Sequence, residues 1–176
     1  MSRTASRSSR KAPTARPLPS ASLARVVELL SYDEDTAFTL MDDAATINAI
    51  VRRVPVERLA ATKFGDWNGI DVIGHVTDVA EVFAERVRRA LEEVAPHLEP
   101  IPEGMTGDPH REPMDLSRRL LRAHQQIVAL MQVPGAGERP AIHGEWGRVT
   151  AAHLAAYQAR HSHEHAVELS KEFPPA

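Results

Sequence analysis

The chain has 176 residues, nine of them histidine and none cysteine, with 21 basic side chains against 24 acidic ones. That length suits one compact domain and hardly two, and the missing cysteines exclude disulfides, thiolate metal sites and cysteine nucleophiles. No apolar run approaches the roughly 18 residues of a membrane span, and a reduced cytoplasmic setting fits these limits.

Residues 1–19 carry Arg3, Arg7, Arg10, Lys11 and Arg16 without a single acid, among Ser2, Ser6, Ser8, Ser9, Pro13, Pro17 and Pro19. They read as a disordered basic tail. The tail lacks the apolar stretch of a secretory signal, although an Arg- and Ser-rich leader superficially resembles an organelle transit peptide. The rest of the chain then holds 16 basic and 24 acidic residues, a formal charge of −8. An acidic body argues against a nucleic acid partner, and five charges on a loose leader give only salt-sensitive, nonspecific attraction.

The body, residues 20–172, shows helical periodicity and no convincing strand alternation; residues 173–176 are a C-terminal end. SLARVVELLS, residues 22–31, predicts a short helix. A second pattern runs from about Asp35 to Val54, with Phe38, Met41, Ala45 and Ile50 among its apolar positions, and Pro55 stops or kinks it. In DWNGIDVIGH, Asn68 is a good N-cap with Asp71 three residues on, and Trp67 can staple against Val72. Ile73, Val76, Ala80, Phe83, Val87, Ala90 and Val94 then alternate spacings of three and four, a bundle seam. Residues 96–113 form a long Pro- and Gly-rich connection. Leu116, Leu120, Ala123, Ile127 and Met131 mark another helix face, residues 134–147 break the chain, and Thr150 caps a last helix running to about Lys171. The expected fold is all-α: an up-and-down helix bundle with one long crossover.

The last helix contains ARHSHEHAVEL, with His161, His163 and His165 inside five residues. At about 100° per residue, and with Leu154 at zero, His161 falls near −20° and His165 near +20°, whereas His163 falls near 180°. Two imidazoles therefore face the interior and the third faces water. A spacing of i and i+4 lets one helix offer two imidazoles to one ion, and it equally describes two core histidines bonded to polar neighbours. The metalloprotease motif is excluded, because Val167 stands where it requires a histidine. For a third ligand, His75 borders its helix seam, about 40° from Val79. His124 competes from near its own apolar face, and His153 lies at the edge of its own. His97, His110 and His143 sit in connections.

WNGIDVIGHVTDVAEVF and HGEWGRVTAAHLAAYQARHSHEHAVEL together resemble the DinB-like four-helix superfamily: a tryptophan, a cap and a helix-borne histidine, then a glycine, a capping threonine and a helix ending in HxxxH. The resemblance spans about residues 22–172. It implies a three-histidine metal site at His75, His161 and His165, leaves His124 as a core or rim residue, and places the long crossover between the second and third helices of the bundle. Glu164 departs from the pattern, which often has another histidine there.

Three imidazoles leave a coordination position open, where a divalent ion acts as a Lewis acid and lowers the pKa of a bound water or thiol. Neutral nitrogen ligands suit Zn²⁺, Ni²⁺ or Fe²⁺; zinc is favoured here. Asp71, Asp78, Glu164 and Glu168 are the nearby acids that could orient the rings. The resemblance implies a metal-dependent hydrolase or a transferase working on a low-molecular-weight thiol, with Arg52, Arg53, Arg86 and Arg148 available to hold a carboxylate on that partner. The alternative is a non-catalytic, stress-linked bundle, a homodimer whose metal is structural or absent.

Overall fold

The computed structural model describes residues 30–101 and 111–175. The tail of residues 1–19 and most of the 22–31 segment lie outside the described residues. Four long helices make the body: α1 (Glu34–Arg53), α3 (Gly69–Glu92), α4 (Pro113–Met131) and α5 (Ala151–Glu172), with a short α2 (Val56–Ala61) between the first two. No described helix is long and apolar enough to cross a membrane.

The helices start where the sequence supplies donors' partners. Asp33, Asn68 and Thr150 each accept from the backbone N–H three residues on, and the residue there reaches back to the cap. These closed capping boxes satisfy amides that a helix start otherwise leaves bare. Glu112 caps α4 with Pro113 at its first turn, where a missing N–H costs nothing. Val54 and Pro55 end α1, as the proline required.

Each long helix then buries one stripe. α3 presents Ile73, Val76, Ala80, Phe83, Val87 and Ala90 to the core, and α4 presents Leu116, Leu120, Ala123 and Ile127. Three positions depart from the sequence reading, Ala45 among them, which is exposed. Val94 lies past the end of α3 and is 97 % exposed, and Phe38 is 70 % exposed, because the true inner face of α1 is Leu40, Asp43, Ala44, Ile47, Ile50 and Val51.

In the bundle α4 packs beside α1 and α3, and α5 also packs beside α1 and α3, so chain neighbours α1 and α3 stand on a diagonal. The crossover explains the arrangement. After it, α4 enters at the level where Thr77 donates to the Leu116 carbonyl and Arg119 meets Glu81. α3 and α4 therefore run the same way, with α5 antiparallel to α3.

The connections contain strands that the sequence reading did not expect. Lys63–Phe64 and Trp67–Asn68 (β1, β2) form a hairpin before α3. His97–Leu98 (β3) pairs parallel with Pro140–His143 (β4), which pairs antiparallel with Gly147–Thr150 (β5). Strands of two to four residues are too short to show alternation in sequence. The second sheet fastens the crossover and the α4–α5 connection together at one end of the bundle.

Candidate metal centre

His75 sits in the second turn of α3, and His161 and His165 sit one turn apart on α5. Antiparallel packing of the two helices brings them face to face. The Nε2 atoms of His75 and His161 are 3.1 Å apart, and the ring of His165 lies 5.3 Å from that of His75 and 4.8 Å from that of His161. One ligating nitrogen from each of the three falls within 4.8 Å of the others, all of them half-buried.

This donor set fits a divalent ion. Nitrogens each about 2.0–2.1 Å from a tetrahedral ion stand roughly 3.3 Å from one another, close to the separation of the two Nε2 atoms. Two lone pairs facing each other at such a distance repel unless a proton or a cation lies between them. His161 is also kept neutral: burial first, then the neighbouring His165 and His75, push its pKa well below the ordinary value. A neutral imidazole is the form that ligates.

Around the three rings the chain builds walls and a support. Trp67, at the hairpin end just before the Asn68 cap, lies with its ring 4.8 Å from that of His75. Tyr157, one turn before His161, stacks nearly parallel to it at 6.5 Å and meets Trp146 at 4.6 Å. Of the four acids named from the sequence, Glu168 reaches a ring, its Oε2 3.1 Å from Nδ1 of His165. That contact turns Nε2 of His165 toward the cluster. Asp71 closes the α3 cap, Glu164 pairs with Arg160, and Asp78 takes a fork from Arg111.

The other histidines do different work. His124 is wholly buried, 2.6 Å by Nδ1 from the Leu40 carbonyl and 3.0 Å by Nε2 from Ser162 Oγ. His153 accepts from the Thr150 amide. His143 is buried on β4, stacked 4.0 Å from Trp146. His97 is exposed on β3, and His110 lies outside the described residues. His163 points out, with a side chain 58 % exposed, but its Nδ1 is 3.1 Å from buried Asp43, a partner that sequence periodicity had no means of finding.

The four arginines are spread. Arg52 donates to Asn48, Arg53 to the Phe173 carbonyl, and Arg148 is exposed on β5. Arg86 is buried, donates to the Glu99 carbonyl and lies over the Phe83 ring. It lines an open cavity of about 480 Å³ together with Asp78, Val82, Leu98 and Ile101. Asp78, Val82 and Arg86 lie on α3, the helix that carries His75, and none of the three clustered histidines lines the cavity.

A sequence model of the DinB superfamily matches residues 40–169. Among solved structures, YfiT from Bacillus subtilis, described as a probable metal-dependent hydrolase with an unusual four-helix bundle topology, superposes with a TM-score of 0.66 at 20 % identity. The match covers 83 % of this chain and 92 % of that one, and at such identity it speaks for the fold alone. No curated protein matches the chain.

Proposed function

The chain belongs to the DinB superfamily, and from that premise we propose that it holds a divalent metal ion through His75, His161 and His165 and uses it to transform a small molecule. The observation that carries this reading is the convergence of three imidazole donors, from two helices, within 4.8 Å. Such an ion supplies a Lewis acid that activates a water or a thiol at its open position. The nucleophile is therefore water, as in the hydrolase description given to YfiT, or the sulfur of a low-molecular-weight thiol brought in as cosubstrate. A chain without cysteine has no thiol of its own to offer.

The protein's own residues supply the rest. Glu168 holds His165 by its outer nitrogen, as second partners of ligating histidines generally do. Trp67 stands against His75 and Tyr157 against His161. The cavity along Asp78, Val82 and Arg86, on the helix that carries His75, offers room for a small molecule. Zinc is the ion we favour, since three nitrogen ligands and one open place are its usual catalytic set.

Elemental analysis of the untagged full chain tests the reading. Near-stoichiometric metal in the wild type and in His163→Ala, with loss in His75→Ala, His161→Ala and His165→Ala, is the expected result. A wild-type chain that stays empty when offered zinc, nickel and iron would falsify it. Turnover of ester, amide and electrophile panels by the loaded protein, with and without added thiol, then separates the two nucleophiles. A loaded protein inert to both would be a bundle whose ion braces α3 against α5.

A further inference from the structure

Four side-chain atoms are buried without a partner among the described residues, Oδ2 of Asp43, Nε1 of Trp146, Oε1 of Gln158 and Nδ1 of His161, and the last two belong to one face of α5. Gln158 and His161 lie three residues apart on α5, a spacing at which helical side chains are neighbours. Their chemistry can be assigned from what surrounds them.

The chain of assignments starts at Leu40. Its carbonyl can only accept, so Nδ1 of His124, 2.6 Å away, carries the proton, and Nε2 of His124 is left as an acceptor. That nitrogen has Ser162 Oγ at 3.0 Å and the Gln158 amide nitrogen at 3.3 Å, and both donate to it. The amide nitrogen also lies 3.4 Å from Ser162 Oγ. The Gln158 amide is thereby fixed with its NH₂ toward His124, because the flipped amide would set a carbonyl oxygen against a lone pair. Its Oε1 remains a bare acceptor in a fully buried side chain.

His161 presents the complement. Its Nε2 faces that of His75. An ion bound at Nε2 requires the lone pair there, which places the ring proton on Nδ1 and makes a donor of the atom that lacks a partner. Buried donors and acceptors left unmatched are uncommon, and each calls for an explanation. A donor and an acceptor left over on neighbouring side chains of one helix can serve each other.

We propose that Gln158 is a positioning residue for the metal centre: its Oε1 accepts a hydrogen bond from Nδ1–H of metal-ligating His161, directly or across one water, and so ties the centre to the buried Leu40–His124–Ser162 network. The inference rests on the metal reading above. It gives His161 the outer partner that Glu168 gives His165, and it assigns a role to His124, which binds no metal itself.

Zinc affinity of the untagged full chain, measured by chelator competition, is the test, beside Gln158→Met, Gln158→Glu and Ser162→Ala. Outer partners of this kind contribute roughly 10- to 100-fold to metal affinity. Gln158→Met, which keeps length and loses the acceptor, should weaken zinc binding by that factor. Gln158→Glu, which keeps the acceptor, should bind at least as tightly as wild type. Ser162→Ala, which disturbs the same network without touching His161, should stay close to wild type. Equal affinity in Gln158→Met overturns the proposal, as does an equal loss in Ser162→Ala. A wild-type chain that takes no zinc overturns the metal reading itself, a different result. Long-range ¹H–¹⁵N spectra of the zinc-loaded wild type decide the matter even where a variant fails to fold. A slowly exchanging His161 Nδ1 proton is expected, and its absence counts against Gln158.

Discussion

At the scale of single residues, the centre depends on which groups hold the outer nitrogens of the ligands. Glu168→Gln keeps the shape of the partner and discards its charge, and the contact to His165 is part-exposed. Metal affinity should fall roughly 10-fold, toward the low end for such partners; unchanged affinity in a competition assay would remove Glu168 from the site. His124 makes a prediction of a different kind. Burial pushes its pKa down to about 4, partly opposed by its bond to the Leu40 carbonyl. The unfolded chain takes up that proton near the ordinary 6.5, so between these values it binds more protons than the folded one. Stability therefore falls as pH drops from about 6.5 toward 4, by at most about 3 kcal/mol for this group. Burial raises Asp43 to about 6, and its contribution runs in the opposite sense over part of that window. Urea denaturation across the window should show a flatter dependence in His124→Asn than in wild type, and parallel slopes would refute the assignment to His124.

At the scale of elements, the position of His75 is fixed by how α3 begins. Asn68 closes the capping box, and Gly69 follows because nothing larger fits: a Cβ there would stand 2.9 Å from the Leu59 carbonyl oxygen of α2, a backbone atom with no room to yield. Gly69→Ala should destabilise by about 1–3 kcal/mol and Asn68→Ala by about 1 kcal/mol, both measurable as lowered denaturation midpoints. A neutral Gly69→Ala would mean that α2 is free to shift. This start of α3 was legible in the sequence, since the cap, its partner Asp71 and the seam from Ile73 to Ala90 are local signals. So was the pairing of His161 with His165 on one face, which needs only the helical turn. The juxtaposition with His75 was suggested by family likeness, not by periodicity, because it depends on which helices pack together. Other features were not legible for the same reason. The inner face of α1 is set by Asp43 and its neighbours and leaves Phe38 outside, and the short strands exist only because distant segments meet. The buried acceptor for His163 and the network through His124 join α1, α4 and α5 across gaps of 38 to 120 residues, which no local pattern encodes.

At the scale of the whole molecule, an ion at the proposed site would tie α3 to α5, two helices that are not adjacent in sequence. An ion bound to the folded chain alone stabilises it by mass action, about 4 kcal/mol at a free concentration a thousandfold above Kd. For a chain of this size that corresponds to a rise of roughly 10 °C in Tm. His161→Ala should abolish the rise, and so should a chelator. His163→Ala separates baseline from increment. It strips buried Asp43 of the partner 3.1 Å away, so the metal-free protein should melt lower than wild type, yet the gain on adding zinc should be undiminished because His163 lies outside the cluster. Thermal scans of the three proteins, with and without zinc, therefore distinguish a histidine that supports the fold from one that holds the ion. A zinc-dependent rise that vanished in His163→Ala would place the ion at the rim of α5, not between the helices.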